Sequence, residues 1–257
     1  MEPLMTLNNK TLLDYLNQLL QPQNVRDYCP NGLQVEGKEH VSKIVCGVTA
    51  SQALIDQAIL HKADAIFVHH GFFWKGENDC IQGMKRKRIK ALLDNDINLY
   101  AYHLPLDIHP QFGNNAQLGK LLSIQDCRVI DPRDKQCVVM RGETQYPTSA
   151  EDFTNKVEKL LGRKPLLVDG GGHQIRTIAW CTGGGQGYIE QAAEKNIDAF
   201  VSGEISEQTV HTAREMGIHF IAAGHHATER YGAKAIADHL QEQFNCDAEF
   251  IDIDNPA

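Results

Sequence analysis

The sequence predicts an α/β fold, internally duplicated into two similar halves with mostly parallel sheets, and three observations predict it. β-branched runs alternate with amphipathic stretches, the pattern of parallel strands joined by crossover helices. The chain also repeats itself. Residues 55–65 read IDQAILHKADA and residues 189–199 read IEQAAEKNIDA, an offset of 134 without a gap, and stretches 44–70 and 178–204 share seven identities, where composition alone supplies about one or two. Finally, small residues and histidines follow the apolar runs, at the carboxyl ends of strands where open α/β sheets collect their ligands.

In chain order, Asn8 or Asn9 caps a helix to Leu20. The run from Lys43 to Val48 is a strand leading through Thr49-Ala-Ser into an amphipathic helix, and Ala65-Ile-Phe-Val is the next strand. A helix over Lys85–Asp94 and a strand from Ile97 to Tyr102 follow. The stretch 126–146 holds Pro132, scattered charge and one short apolar run, and reads as a connector with one strand. Thr148 and Glu151 form a capping box for a helix to Leu161. Arg176–Cys181, a glycine-rich turn, an amphipathic helix, Ala199-Phe-Val, a helix over Ser206–Met216 and a strand from Ile218 then repeat the first half. The expected organisation is a first half over 1–125, the connector over 126–146 and a second half over 147–257.

Composition narrows the function. With 257 residues, 42% hydrophobic and 23% charged, the chain has material for a core and no apolar run near the ~18 residues of a membrane span. Met1-Glu-Pro-Leu-Met-Thr has neither the basic flank nor the apolar core of a signal peptide, so a cytoplasmic location is expected. Seven cysteines without a Cys-x-x-Cys pair argue against a disulfide framework and a thiolate-held zinc. A net charge of −8 disfavours nucleic acid and anionic lipid as partners.

The chemistry is concentrated in histidines. His69-His70 ends one strand, His103-Leu-Pro-Leu-Asp107 follows the next, and His225-His226-Ala-Thr-Glu229 follows the equivalent strand of the second half. His103 and Asp107 repeat the four-residue spacing of His225 and Glu229, as if each half supplied part of one shared site. Neighbouring strand residues point to opposite faces, so His69 and His70 face a single ion only if the backbone leaves strand geometry. Two ions remove that difficulty, and a carboxylate such as Glu229 can bridge a pair about 3.5–4 Å apart. Imidazole and carboxylate donors without thiolate suit two divalent ions of Zn, Fe, Mn or Ni.

Other features are weaker. Gly183–Gly187 offers backbone N–H groups to a phosphate but reads better as a tight strand-to-helix turn. Phe72, Phe73 and Trp74 suit stacking on a base or a subunit contact. The run Lys85-Arg-Lys-Arg88 reads as a solvated helix face.

The strings PNGLQVEG (30–37), GVTAS (47–51), VHHGFFWKG (68–76), HLPLD (103–107), GNNAQL (113–118), SGE (202–204) and GHHATE (224–229) resemble the NIF-three-like family, which includes the GTP cyclohydrolase 1 type 2 homologues, and most resemble its short bacterial YbgI type. The resemblance runs nearly end to end. It implies a NIF-three-like fold whose halves share one dimetal site, in a homohexamer built as a trimer of dimers. Carried over by position, His70 and Asp107 bind one metal, His69 and His225 the other, and Glu229 bridges them. His226 lies outside the ligand set, and His103, to which the resemblance gives no firm ligand role, is expected either to support the ligands from outside or to carry a proton. The implied activity is metal-dependent hydrolysis of a purine nucleotide, in the cyclohydrolase version opening the imidazole ring of GTP and releasing formate. Phosphoester or damaged-nucleotide hydrolysis is the alternative enzymatic expectation, and a non-enzymatic metal-binding hexameric scaffold the alternative from another class. Catalytic metals keep an open coordination position and structural ones do not.

Overall fold

The computed structural model describes residues 5–257. In chain order the elements are β1 (Leu7–Asn8), α1 (Asn9–Leu20), β2 (Gly32–Val35), β3 (His40–Val41), β4 (Lys43–Thr49), α2 (Gln52–Leu60), β5 (Ala65–His70), α3 (Gly83–Asp94), β6 (Asn98–Ala101) and α4 (Leu104–Ile108). They continue as α5 (Asn114–Leu121), β7 (Gln125–Val129), β8 (Met140–Thr148), α6 (Ala150–Leu161), β9 (Leu166–Val168), β10 (Ile175–Cys181), α7 (Ile189–Ala193), β11 (Ala199–Ser202), α8 (Glu207–Met216), β12 (His219–Ala222), α9 (His225–Phe244) and β13 (Asp247–Phe250). Among the described residues no helix is long and apolar enough to cross a membrane.

The chain folds as two compact units, divided at other points than the sequence halves. The first runs to Leu106 and takes in Gly232–Asp254; the second spans Asp107–Tyr231 with Asn255–Ala257. The reason is β13, which pairs in parallel with β4 and so draws the C-terminal part of α9 into the first unit.

In the first unit the sheet order is β13-β4-β5-β6-β2, with only β2 antiparallel to its neighbour. β4 and β5 are near-continuous apolar runs because both faces are covered. Val45, Ile66, Val68 and Leu99 pack with Leu54, Ile55 and Leu92 from the helices. Asn8 caps α1 by accepting the Lys10 N–H, and Ser51 caps α2 by accepting the Leu54 N–H.

In the second unit the order is β7-β8-β10-β11-β12-β9. Its centre, β10-β11-β12, is parallel and its margins are antiparallel. The stretch 126–146 is therefore more than a connector: β7 and most of β8 fall in it and extend the sheet as an antiparallel pair. The cap of α6 is Ser149, whose hydroxyl accepts the Asp152 N–H, one residue beyond the expected Thr148. Thr148 is still paired in β8, opposite Ile175. The amphipathic helix expected between the glycine-rich turn and Ala199 is the five-residue α7 after a 3-10 turn. Its N-cap, Tyr188, makes no side-chain cap bond, and Asn196 turns left-handed at φ 54° beyond its end.

The repeat in sequence has a counterpart in pairing. Ile44 sits opposite Ala65, and Ile178 opposite Ala199, at the same offset of 134. The Asp64 carboxylate accepts the Ser42 and Lys43 N–H groups, and the Asp198 carboxylate accepts those of Arg176 and Thr177, again at that offset. Each aspartate closes the start of the central strand of its unit.

Candidate metal centre

The first unit gathers imidazoles. β5 ends on His69 and His70, the chain leaves β6 at Tyr102, and His103 follows. His69 is fully buried, and its Nδ1–H donates to the Tyr102 carbonyl at 3.1 Å. His70, half-buried, has Nδ1 3.2 Å from Thr49 Oγ1 on the paired strand. Although adjacent in a strand, the two rings lie 4.4 Å apart, because β5 ends here and the chain turns at Gly71. A Cβ at Gly71 would fall 2.5 Å from Ala101 Cβ on β6, so only glycine fits against that strand. The His103 ring is 5.0 Å from that of His69 and 5.7 Å from that of His70, and each of the three residues offers a nitrogen within 4.8 Å of the others. His103 is pinned in turn: its Nδ1–H donates to Asp27 Oδ1 at 2.9 Å and its backbone N–H to Asn31 Oδ1 at 2.7 Å.

The second unit gathers carboxylates and one imidazole. Asp107, buried, accepts from Asn114 Nδ2 at 2.9 Å and from Thr182 Oγ1 at 3.3 Å. His225 and Glu229 occupy one face of the first turn of α9, with Nε2 and Oε2 3.1 Å apart. The Nδ1–H of His225 donates to Glu204 Oε1 at 2.7 Å. Burial opposes the His225 charge, but the hydrogen bonds and proximity of Glu229 and Glu204 outweigh it and lift its pKa to about 9. Glu229 is 3% exposed and has an oxygen within 4.8 Å of one on Asp107.

Gly183 fixes the approach to this carboxylate. It sits at φ +62° and its N–H donates to Thr228 Oγ1. A Cβ there would fall 2.0 Å from Glu229 Oε1 and 3.1 Å from His225 Nε2. The glycine run is thus a close-approach turn beneath two donors. Cys181, just before it, is buried near Asp107 and Glu229, and desolvation and those charges push its thiol well above its ordinary pKa. The donors that converge on Glu229 among the described residues are His69, His70, Asp107 and His225, all nitrogen and oxygen.

These donors fit divalent metal ions. Two carboxylates buried this near one another repel, and a cation relieves that cost. On His69, His103 and His225, Nδ1–H is committed to a carbonyl or carboxylate oxygen, the outer hydrogen bond that fixes the orientation of an imidazole. His226 is separate: its backbone N–H donates to the Ala257 carbonyl at 3.2 Å.

Of the aromatics, Phe72 is buried in the core of the first unit, contrary to a role at a contact surface, whereas Phe73 is 36% exposed. Trp74 donates from its indole N–H to the Gly71 carbonyl. Lys85 lies over the Phe73 ring and bonds to Glu77. Asp27, Thr49, Glu204 and Thr182 were not singled out from the sequence as functional. Thr49 and Glu204 lie inside the strings GVTAS and SGE, which gave a signal without a role, but Asp27 lies outside every string.

The chain is similar along nearly its full length to proteins of several bacteria. A Haemophilus influenzae protein named GTP cyclohydrolase 1 type 2 homolog is 58% identical over 252 residues, covering 98% of this chain and 100% of that protein. An Escherichia coli protein of the same name is 54% identical over the same shares. Among solved structures, protein ybgI, described as of unknown function, matches with a TM-score of 0.93 at 54% identity, over 98% of this chain and 100% of that one. A Thermus thermophilus protein matches with a TM-score of 0.88 at 34% identity, over 98% and 99%. The Duf34/NIF3 (NGG1p interacting factor 3) family pattern covers residues 7–256, and with relatives this similar over the same span the chain belongs to that family.

Proposed function

We propose that this chain is a dinuclear metal-dependent hydrolase acting on a purine nucleotide. His70 and Asp107 would hold one divalent cation, His69 and His225 the other, and Glu229 would bridge them. The observation that carries this reading is the buried pair of carboxylates, Asp107 and Glu229, in a neighbourhood of nitrogen and oxygen donors and a neutral thiol. When bound, such cations activate water near neutral pH and stabilise developing negative charge.

The chain's own residues divide the remaining work. Asn114 and Thr182 orient Asp107, Tyr102 orients His69, Thr49 flanks His70, and Glu204 orients His225. Gly183 leaves room for Glu229. His103, buried beside the imidazole pair, accepts or returns a proton at Nε2. The purine nucleotide as substrate class rests on the relatives' name, GTP cyclohydrolase 1 type 2 homolog, and ring opening of GTP is the first reaction to test. The proposed assembly is a homohexamer.

The test is a screen of purine nucleotides with protein reconstituted in Zn, Fe, Mn or Ni, products being identified by mass spectrometry. Ring opening with loss of formate supports the cyclohydrolase reading, and release of phosphate from a nucleotide moves it to phosphoester hydrolysis. If the fully metallated protein turns over no nucleotide, the hydrolase reading fails and a metal-binding scaffold replaces it.

A further inference from the structure

Asp27 is the most heavily solicited carboxylate beside the imidazole cluster. Its side chain is 3% exposed. Oδ1 accepts from the Tyr28 N–H at 2.7 Å and from His103 Nδ1 at 2.9 Å; Oδ2 accepts from Asn31 Nδ2 at 3.0 Å and from the Leu104 N–H at 2.9 Å. All of these neighbours are donors. Burial raises its pKa, but the hydrogen bonds from His103 and Asn31 and the proximity of His103 outweigh that and hold it down to about 2. The Cys29 thiol beside it is pushed up to about 12 by burial and by the Asp27 charge, so it too remains protonated.

We propose that Asp27 is a positioning residue that holds the His103 ring with its proton on Nδ1 and its lone pair on Nε2, the state in which Nε2 can take a proton during hydrolysis. This rests on the proton-carrier role assigned to His103 above. An ionised carboxylate only accepts, so at 2.9 Å the hydrogen belongs to Nδ1; the other tautomer would set two lone pairs against each other. The ring is confined as well. Tyr28 and Trp74 meet it edge-on, each with centroids 4.9 Å away, and Asn31 holds the His103 backbone. The same carboxylate therefore fixes tautomer, ring plane and backbone start of α4.

Asp27→Asn is the informative substitution. The amide has one accepting oxygen where Asp27 has two. With that oxygen in place of Oδ2 it still receives the Asn31 and Leu104 donors and gives up the Tyr28 N–H, and its NH2 then faces His103 Nδ1. The amide donates to Nδ1 and the imidazole proton moves to Nε2, leaving no base there. Asn31→Ala serves as the control, since it removes the backbone brace while leaving the Asp27–His103 bond.

The experiment is neutron diffraction from deuterium-exchanged crystals of the zinc-loaded protein, reading where His103 carries its deuteron. The expected result is Nδ1 in the wild type and in Asn31→Ala, and Nε2 in Asp27→Asn with zinc content unchanged. A wild-type ring deuterated on Nε2, or an Asp27→Asn ring still deuterated on Nδ1, would overturn the proposal. If Asp27→Asn does not fold, the wild-type map decides alone. Failure of the hydrolase reading appears elsewhere, as purine nucleotides left intact by the metallated wild type, and is thus distinguishable from failure of the tautomer assignment.

Discussion

His69 and His103 are near neighbours with opposite expected roles, and paired substitutions separate them. His69→Ala removes a proposed metal donor and should lower metal content. His103→Ala should keep the metals and lower turnover of the nucleotide substrate by about 10²–10⁴-fold, the usual worth of a positioned acid or base. Metal analysis beside activity reads both; equal metal loss in the two variants would make His103 a ligand. Gly183→Ala makes a second residue-scale test. Alanine at φ +62° is strained, and its Cβ would displace Glu229, so a destabilisation of about 1–3 kcal/mol should come with weaker metal binding, measured by chemical denaturation and metal titration. The candidate donors were legible in the sequence because His-His and His-x-x-x-Glu follow apolar runs. Their outer partners were not. Asp27 reaches His103 across 76 positions of sequence, and no spacing rule links an aspartate in a turn to a histidine after a distant strand.

At the scale of elements, periodicity identified the strands β4, β5, β10 and β11 closely, since buried parallel strands are continuous apolar runs bounded by small residues. It gave one strand where β7 and β8 lie, because their exposed faces and bulged register give no clean alternation. The aspartates at the strand starts offer a test of the shared design. Asp64 accepts two backbone N–H groups and Asp198 accepts the two equivalent ones. Asp64→Ala and Asp198→Ala should each cost about 1–3 kcal/mol by leaving those donors without their partner. Urea denaturation of both variants checks it, and an unaffected midpoint in either would show that the parallel roles are only geometric.

For the whole molecule, the expected α/β fold agrees with the family, and β4–β5 and β10–β11 repeat one pairing register at an offset of 134. The first compact unit nevertheless takes in Gly232–Asp254, because β13 is added to its sheet. Sequence order alone does not reveal such an addition, since a four-residue strand can pair with any open edge. The proposed hexamer is checked by analytical ultracentrifugation, where sedimentation as a monomer at micromolar concentration would remove it.

The central claim, that His69, His70, Asp107, His225 and Glu229 hold a metal pair, is tested most directly by counting metal. Elemental analysis of the reconstituted protein should give about two divalent ions per chain, since five proposed ligands with a bridging carboxylate exceed one tetrahedral set. In Glu229→Gln, which keeps the shape and loses the bridging charge, that number should fall. A ratio near one in the wild type, unchanged by Glu229→Gln, would contradict the account.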